Sequence, residues 1–291
     1  MFVINYLFNM AIYLNEYCNL SFKMKGVILA GGKGLRLYPL TKVTNKHLLP
    51  VGNEPMIFNP IKKLKEAGIK DIMIITSTEH MGDIVELLGS GEEFGVNFTY
   101  RVQESATGIA HALSLARNFA KGVKIMVILG DQITTGSLKN AVEIFESNGR
   151  GAKVFLKEVH DPSRYGVATI QDQSVTEIEE KPSQPKSNYA VIGYYLFDEK
   201  VFDIISKIKP SERGEYEITD VNNEYIKLGE LSYEILNGEW TDAGTFESLL
   251  YANKILMPEE KSPYLVSQEQ VGKMIDEIES KLAELRKHQR L

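Results

Sequence analysis

Short apolar runs alternate with segments of helical spacing along the first half of the chain. The apolar runs cover residues 26–30, 71–76, 97–102 and 124–131, and the helical segments cover residues 54–68, 83–88, 107–119 and 138–147. This alternation predicts a mainly parallel sheet that carries helices on both faces. Ligands bind to such sheets beyond the carboxyl ends of the strands. We therefore expect a Rossmann-like α/β fold with a site at that edge.

The second half of the chain is richer in strand patterns. Strands are predicted at residues 152–159, 166–171, 174–182, 190–197 and 231–236, and a helix is predicted at residues 218–229. No linker, repeat or low-complexity tract separates the two halves. We therefore expect a single domain over residues 24–256, in which the mixed, mainly parallel sheet merges into a smaller β-rich part.

The composition is that of an ordinary globular protein and argues against two classes of partner. With 291 residues, of which 43% are hydrophobic and 25% charged, the chain can bury a sizeable core. A formal net charge of -6 argues against general nucleic-acid binding, although a local basic cluster can still hold a phosphate. No apolar run reaches the roughly 18 residues of a membrane span. The single cysteine, Cys18, allows no internal disulfide and fits a reducing cytoplasm.

Both ends of the chain differ from the predicted domain. Residues 1–23 are aromatic and apolar, but they lack the positive start and the cleavage site of a signal peptide. We interpret them as an extension outside the core, with Met24 as a possible start and an interfacial anchor as the alternative. Residues 257–291 form a predicted helical tail, which would pack on its own domain or at a subunit interface of a homo-oligomer. Its apolar stripe consists of Val271, Ile275, Ile278, Leu282 and Leu285.

The sequence VILAGGKGLRLYPLTK, residues 27–42, joins an apolar strand to a glycine cluster and then to basic side chains. A dinucleotide fingerprint would need a small residue where Leu37 stands, and a P-loop would need Ser or Thr where Gly34 follows Lys33. Glycines free backbone N–H groups to point at phosphate oxygens, and Arg36 adds a planar charged fork. The loop therefore predicts a phosphate site of a different kind.

This loop belongs to the first of nine sequence blocks that follow one another along the chain. They are LAGGKGLRLYPLT (29–41), NKHLLPVGNEPMI (45–57), ESATGIAHAL (104–113), ILGD (128–131), DPSRYGVA (161–168), EEKP (179–182), PKSNYAVIGYYLFD (185–198), GEYEITDVN (214–222) and WTDAGT (240–245). Together they span roughly residues 25–250 and resemble the signature of the sugar-1-phosphate nucleotidylyltransferases. They are most similar to the members that use dTTP and glucose 1-phosphate.

The resemblance implies a fold of the nucleotide-diphospho-sugar transferase type, in which the β-rich part binds the sugar. It implies a Mg²⁺-dependent reaction in which a sugar 1-phosphate oxygen attacks the α-phosphorus of dTTP in line and displaces pyrophosphate. The product would be dTDP-glucose, a precursor of deoxysugars or rhamnose in surface polysaccharides. We accordingly expect a cytoplasmic enzyme that acts on these small substrates and has no nucleic-acid or membrane partner.

The resemblance also assigns the charged residues of the site. Asp131 and Asp242 match the two metal aspartates of the family and would hold Mg²⁺, a hard cation that prefers oxygen ligands. Arg36 and Lys46 match the basic residues at the triphosphate, and Lys181 matches the lysine that holds the sugar phosphate. Each of these residues alone is more typical of a turn or of an exposed surface charge. Their occurrence in ordered blocks favours the catalytic interpretation.

The remaining contacts implied by the resemblance involve backbone groups and two polar side chains. The nucleotide-binding set is Leu29, Ala30, Gly31, Gly32, Gly34, Arg36, Gln103, Gly108 and Asp131. The sugar-phosphate set is Gly166, Glu180, Lys181 and Val191. Gln103 would contact the pyrimidine, but an amide can match either thymine or uracil, so this residue does not choose between them.

Three positions and the tail depart from the family pattern. Leu35 stands where Thr or Ser is common, Gln132 replaces the usual Asn after the metal aspartate, and His111 occupies a position often held by Gln. The extra methylene of Gln132 would move a sugar or nucleotide contact. The chain after Leu256 does not follow the longer members, so we do not expect a regulatory nucleotide site there.

Three alternative functions follow from the same residues. The first is the same chemistry with UTP or with another hexose 1-phosphate. The second is a regulatory homologue that binds nucleotide sugars without catalysis, which the presence of Arg36, Lys181 and both aspartates disfavours. The third is a nicotinamide oxidoreductase, which Leu37 disfavours because the dinucleotide fingerprint is incomplete.

Overall fold

The elements of the computed structural model follow the predicted alternation closely; the structure describes residues 24–257, Gly272, Lys273, Ile275 and Ile278. The strands are β1 (Lys25–Ala30), β2 (Pro50–Val51), β3 (Glu54–Pro55), β4 (Asp71–Ser77), β5 (Asn97–Gln103), β6 (Ile125–Leu129), β7 (Gln132–Thr134), β8 (Ala152–Glu158), β9 (Gly166–Gln171), β10 (Ser174–Glu180), β11 (Tyr189–Phe197), β12 (Leu231–Ile235) and β13 (Trp240–Asp242). The helices are α1 (Phe58–Glu66), α2 (Met81–Leu88), α3 (Ile109–Ser114), α4 (Lys139–Asn148), α5 (Val201–Ile205), α6 (Ile218–Lys227) and α7 (Phe246–Leu256).

One large sheet combines a parallel half with an antiparallel half. Its strands lie in the order β10-β9-β11-β6-β1-β4-β5, with β8 also paired to β11 and β12 paired to β8. The strands β6, β1, β4 and β5 are parallel, and in their register Val27 lies between Met73 and Val127. Because these strands run in one direction, their carboxyl ends lie at one edge, where the loops that follow β1 and β6 meet.

The strand β11 joins the two halves and forks the sheet. Along one edge it pairs with β8, and along the other it pairs first with β9 and then with β6. The β9 contact ends where Val191 faces Gly166, and the β6 contact begins where Tyr194 faces Ile128. The β8 register shifts between Ile192 and Tyr195, so β11 bulges between its two partners. The sheet therefore opens at Gly193.

Helices cover both faces of the sheet, as the alternation predicts. Side chains of β1 alternate between two core clusters, with Val27 and Leu29 in one and Ile28 and Ala30 in the other. Helices α3, α5 and α6 pack in the first cluster, and α1, α2 and α4 pack in the second. A third, smaller cluster joins α7 to the β2–β3 hairpin and includes Ile133 of β7.

Two predicted helices are shorter than the sequence suggests. The helix predicted over residues 54–68 begins only at Phe58, because Glu54 and Pro55 pair with Pro50 and Val51 in the hairpin. The helix predicted over residues 107–119 is regular only from Ile109 to Ser114. Gly108, at φ +108°, precludes an earlier start, and tighter i→i−3 turns follow the helix.

The chain ends lie mostly outside the described residues. The expectations for residues 1–23 fall there entirely, and so do Val271, Leu282 and Leu285 of the predicted stripe. Ile275 and Ile278 are described as helical and about half exposed. The domain limits of 24 and 256 stay a prediction. Among the described helices, none combines the length and the apolar character needed to cross a bilayer.

Candidate active site

The glycine loop leaves β1 at the carboxyl edge of the sheet and passes close to two side chains. A Cβ atom at Gly31 would lie 2.6 Å from Oε1 of Gln103, and one at Gly32 would lie 3.4 Å from Cε of Lys46. Gln103 is only 7% exposed and ends β5, two strands away from β1. The missing side chains therefore let the backbone approach Gln103 and Lys46 and keep the space in front of them open.

A cavity of 280 Å³, here called the glycine cavity, lies in front of this loop. Its lining combines loop backbone, apolar side chains and a few polar groups. The residues that line it are Leu29, Gly31, Gly32, Lys46, His47, Gln103, Ala106, Gly108, Ile109, Ala112, Leu129, Asp131 and Glu215. Gly108 is strictly required by its position, because a Cβ there would lie 2.5 Å from the carbonyl oxygen of Tyr216. An apolar lining with a few convergent polar groups is typical of a small-molecule site.

Asp131 forms the electrostatic centre of the glycine cavity. Nζ of Lys46 lies 2.5 Å from its Oδ2 atom, and Nε2 of Gln132 donates to its Oδ1 atom at 3.1 Å. Burial by itself would raise the pKa of the Asp131 carboxyl, but the Lys46 ammonium and the nearby His47 hold the pKa well below its usual range. Asp131 is therefore an ionised carboxylate whenever the protein is folded near neutral pH.

His47 is a buried wall of the same cavity and is 1% exposed. Burial, followed by the charge of Lys46, lowers the pKa of His47 to about 3. Its Nδ1 atom lies 2.6 Å from Oδ1 of Asn45, whose amide nitrogen donates to the carbonyl of Ala30. Because Oδ1 is an acceptor, the neutral ring carries its proton on Nδ1 and leaves Nε2 unprotonated. His47 is thus a neutral histidine of fixed tautomer.

A second cavity of 520 Å³, here called the fork cavity, lies where β11 opens the sheet. Its lining is richer in charged side chains than that of the glycine cavity. The residues that line it are Arg36, Ile109, Leu129, Asp131, Gln132, Arg164, Tyr165, Gly166, Glu180, Lys181, Val191, Ile192, Gly193, Tyr195, Ile218, Thr219, Trp240 and Asp242. Asp131, Leu129 and Ile109 line both cavities, so the two spaces meet at Asp131.

Asp242 lines the fork cavity beside the segment that follows β6. It ends β13, and in the β7–β13 pair it faces Gln132, the residue after Asp131. The Tyr165 hydroxyl donates to Oδ1 of Asp242 at 3.0 Å, and Nη2 of Arg164 lies 3.7 Å from Oδ2. Burial raises the pKa of Asp242, and the Asp131 carboxylate raises it further. The protein therefore brings two carboxylates close together at an electrostatic cost.

Lys181 and Glu180 line the far side of the fork cavity. Lys181 has a left-handed φ of 47°, a conformation that a residue with a side chain rarely adopts. Its N–H donates to the carbonyl oxygen of Tyr165 at 2.9 Å, which holds the bend. Glu180 accepts the Thr219 hydroxyl at 2.6 Å and lies 3.4 Å from Nη2 of Arg213. Backbone strain of this kind concentrates at functional sites.

The two aspartates fit a divalent cation that has few protein ligands. Within the described part of the chain, no group of three or more His, Cys, Asp or Glu residues is arranged to hold a metal ion. Mg²⁺ is commonly held by one or two carboxylates together with water and substrate phosphates. The Asp131 carboxylate raises the pKa of Asp242, and a bound cation would offset this repulsion between the two carboxylates. The donor set therefore suits a hard cation that arrives with phosphate.

Most of the residues predicted from the sequence line one of the two cavities. Leu29, Gly31, Gly32, Lys46, Gln103 and Gly108 line the glycine cavity; Arg36, Gly166, Glu180, Lys181, Val191 and Asp242 line the fork cavity; and Asp131 lines both. Ala30 is fully buried, and its carbonyl oxygen accepts bonds from Asn45 and Thr76. Gly34 makes a left-handed turn and accepts the Thr41 hydroxyl. The structure therefore gives Ala30 and Gly34 supporting positions behind the loop.

The structure also brings in residues that the sequence did not single out for the site. His47, Arg164, Tyr165, Thr219 and Trp240 all line a cavity. Each one lies inside a block that carried the resemblance, and this position was the available signal. Except for His47, which bonds to Asn45, they contact partners far along the chain. The hydroxyl of Tyr165, for example, reaches a residue 77 positions later.

A larger cavity of 750 Å³ lies elsewhere, near the amino end of β6. Both of its lysines are already engaged: Lys124 donates to the carbonyl oxygens of Phe145 and Glu146, and Lys200 pairs with Glu230. It also lies at the edge of the sheet opposite to the one where parallel sheets bind ligands. The paired cavities at the carboxyl edge are the better candidate site.

Comparisons with known proteins identify the family to which this chain is similar. A family model described as nucleotidyl transferase matches residues 25–259. A glucose-1-phosphate thymidylyltransferase from Xanthomonas campestris pv. campestris (strain B100) is 46% identical over 229 residues, which cover 77% of this chain and 78% of the relative.

Two solved structures share the fold. A Bacillus anthracis structure, described as a glucose-1-phosphate thymidylyltransferase in complex with sucrose, has a TM-score of 0.77 at 60% identity and covers 79% of this chain and 94% of its own. A UDP-glucose pyrophosphorylase complexed with UDP-glucose has a TM-score of 0.71 at 25% identity. The match covers 79% of this chain and 97% of the pyrophosphorylase chain. These matches confirm the predicted fold class.

Proposed function

This chain belongs to the nucleotidyl transferase family, and on that premise we propose that it transfers a thymidylyl group from dTTP to α-D-glucose 1-phosphate. The family resemblance predicted from the sequence is confirmed, and with it the assignment of the chain as a nucleotidyltransferase acting on a sugar 1-phosphate. The choice of dTTP, of glucose and of Mg²⁺ is our proposal.

The observation that carries the proposal is that two cavities of different character meet at one carboxylate. The glycine cavity offers backbone groups, a buried amide in Gln103 and the ammonium of Lys46. The fork cavity offers Lys181 and Glu180, which suit a phosphate and hydroxyl groups. Two phosphorylated reactants can therefore be placed on opposite sides of Asp131, which proximity catalysis requires.

In the proposed reaction, an oxygen of the sugar 1-phosphate attacks the α-phosphorus of dTTP. A new P–O bond forms, and the bond from the α-phosphorus to the oxygen bridging to the β-phosphate breaks. The electron pair leaves with that oxygen as pyrophosphate, and the other product is dTDP-glucose. Positioning and counter-charge supply most of the catalysis in such a transfer.

The chain's own residues take separate parts in this step. Arg36 and Lys46 neutralise the triphosphate, and Lys181 fixes the sugar phosphate with a charge-assisted contact. Gly31 and Gly32 let the backbone N–H groups approach the nucleotide. Asp131 and Asp242 would hold Mg²⁺, which when bound supplies charge stabilisation for the phosphoryl oxygens and for the leaving pyrophosphate.

Gln103 is proposed to contact the pyrimidine edge at the back of the glycine cavity. Its amide is buried beside Gly31 and can match the donor–acceptor edge of thymine or of uracil. The similarity to a UDP-glucose pyrophosphorylase keeps UTP as the second candidate nucleotide. The preference for dTTP is supported by the names of the relatives at 46% and 60% identity.

A substrate panel tests the proposal directly. Purified protein is incubated with Mg²⁺ and each pair of dTTP or UTP with glucose, galactose or mannose 1-phosphate, and pyrophosphate release is followed. We expect the highest kcat/KM for dTTP with glucose 1-phosphate. A clear preference for UTP or for another hexose would replace the assigned substrate. Absence of pyrophosphate release from every pair would remove the proposed reaction altogether.

A further inference from the structure

The amide of Gln132 is fixed between three partners and is 3% exposed. Its Oε1 atom accepts the indole N–H of Trp240 at 2.8 Å and the backbone N–H of Gly193 at 3.2 Å. Both partners are donors only, so the atom that faces them must be the oxygen. The amide NH₂ group then faces Asp131 and donates to its Oδ1 atom at 3.1 Å. Gln132 therefore holds one oxygen of this carboxylate in a set direction.

The bulge of β11 explains why a long side chain is needed at position 132. Gly193 lies where β11 has left β9 and has not yet met β6, so its N–H has no strand partner on that edge. Gln132 reaches into this opening, and a Cβ at Gly193 would lie 2.7 Å from its Cδ atom. The glutamine and the glycine thus fit each other in this chain.

Tyr165 holds the other carboxylate. Its hydroxyl donates to Oδ1 of Asp242, and its ring packs edge-on against Trp240 with centroids 5.6 Å apart. A carboxylate oxygen can only accept, so the hydroxyl of Tyr165 is the donor of this bond. The same tryptophan therefore contacts the side chain that orients Asp131 and the side chain that orients Asp242.

The backbone supports this arrangement. In the antiparallel pair of β7 and β13, Asp242 lies opposite Gln132, and Trp240 is two residues before Asp242 on the same strand. Residues opposite each other, and residues two apart, share one face of a β-ribbon. A bond from the Ala243 N–H to the Asp131 carbonyl oxygen, 2.8 Å long, continues the pairing beyond the strands. Both aspartates are thereby anchored to one short ribbon.

We propose that Gln132, Trp240 and Tyr165, together called the tryptophan bridge, set the positions of the Asp131 and Asp242 carboxylates for the divalent cation. Gln132 and Tyr165 are positioning residues, and Trp240 couples them. This inference rests on the proposed function of the two aspartates as the cation site. Side chains that orient metal ligands commonly change metal affinity 10- to 100-fold when they are removed.

Tyr165→Phe is the sharpest test, because it removes one hydroxyl and keeps the ring against Trp240. Binding of Mn²⁺ is measured by electron paramagnetic resonance in the presence of dTTP and without sugar phosphate, so that no turnover occurs. We expect Mn²⁺ affinity to fall about 10- to 100-fold. The matched control is Tyr251→Phe, which also removes a tyrosine–carboxylate bond, here to Glu239 at 2.6 Å, but outside both cavities. Its Mn²⁺ affinity should be that of the unmodified chain.

Gln132→Met tests the contact between Gln132 and Asp131, since it keeps the length of the side chain and removes the amide. We expect a similar loss of Mn²⁺ affinity. In the double variant with Tyr165→Phe, the two losses of affinity should be non-additive, because Gln132 and Tyr165 both contact Trp240. Trp240 is the single tryptophan of the chain, so its emission reports the lost indole bond without any metal. An unchanged emission spectrum in Gln132→Met would contradict the bond itself.

The outcomes separate this inference from the proposed function. If Asp131→Asn abolishes Mn²⁺ binding while Tyr165→Phe and Gln132→Met only lower the Tm, the bridge has a merely structural role and the inference fails, although the proposed function stands. If the unmodified chain binds no Mn²⁺ with dTTP, the cation site and the bridge both fail. Should Gln132→Met not fold, the comparison of Tyr165→Phe with Tyr251→Phe decides alone.

Discussion

The two cavities are built from different parts of the chain, although they share Asp131. The glycine cavity owes its shape to missing side chains, since Gly31, Gly32 and Gly108 line it and each allows a close backbone approach. The fork cavity owes its character to side chains, among them two arginines, a lysine and two acidic groups besides Asp131. We therefore expect binding in the glycine cavity to be sensitive to added side-chain volume. Binding in the fork cavity should instead be sensitive to the loss of charged side chains.

The largest effect is expected where the cavities meet. Asp131→Asn removes the shared negative charge but keeps the size of the side chain, so turnover should fall by about 10²–10³ or more. Steady-state pyrophosphate release, with dTTP and glucose 1-phosphate each varied, measures the loss. Because the residue belongs to both spaces, we expect kcat to fall for every substrate pair. A variant with near-normal turnover would mean that the metal site is misplaced.

The second-largest effect is expected at Lys181 in the fork cavity. Lys181→Ala removes one charge-assisted contact, worth about 1.5–3 kcal/mol, so the KM for the sugar phosphate should rise about 10- to 100-fold. The KM for dTTP should change little. Lys186→Ala, which removes an exposed lysine paired with Glu177, is the control and should behave as the unmodified chain. An unchanged sugar-phosphate dependence in Lys181→Ala would take this residue out of the site.

The third effect is expected at Gly31 in the glycine cavity, and it concerns the nucleotide instead of the sugar phosphate. In Gly31→Ala the new Cβ would lie 2.6 Å from Oε1 of Gln103, so the amide must move. We expect the KM for dTTP to rise about tenfold, which corresponds to ~1.4 kcal/mol, within the usual cost of overpacking. Gly82→Ala in α2 is the matched control, because an added Cβ there would meet nothing within 4 Å beyond its own helix. A selective rise in the sugar-phosphate KM instead would reverse the assignment of the two cavities.

The last effect is on stability and not on turnover, and it concerns His47 in the wall of the glycine cavity. His47 has a pKa of about 3 in the folded chain and about 6.5 when unfolded, so between these values the unfolded state binds the additional proton. The free energy of unfolding should therefore fall by up to about 1.4 kcal/mol per pH unit as the pH drops below 6.5. His47→Gln should show a shallower slope between pH 6.5 and 5 in denaturant unfolding. Equal slopes would show that His47 is not held neutral.

Much of the fold was predictable because it depends on local pattern. The apolar runs at residues 26–30 and 71–76 became β1 and β4 within one residue at each end. The start of α1 was not predictable in the same way, because Glu54 and Pro55 pair with a neighbouring strand instead of continuing the helical spacing. Hydrogen bonding in a hairpin overrode the periodicity of the side chains.

The site was predictable where a residue's position in a block was sufficient. Asp131 and Asp242 were found as members of blocks, and both line the fork cavity. The contacts that hold them were not predictable, because the β7–β13 ribbon joins segments more than a hundred residues apart. The partner of Gln132 at Gly193 likewise exists only because β11 bulges there. Such contacts depend on the assembled sheet and leave no local signal.

The shared edge of β11 has a consequence for how this molecule can be divided. Removing the second half of the chain would strip β6 of its outer neighbour and expose a row of unpaired backbone groups, a template for aggregation. The two halves are therefore not interchangeable modules, although each contributes one cavity wall. New specificities are expected to arise by exchange of the surrounding loops, whereas recombination between the halves would disrupt folding before it altered substrate choice.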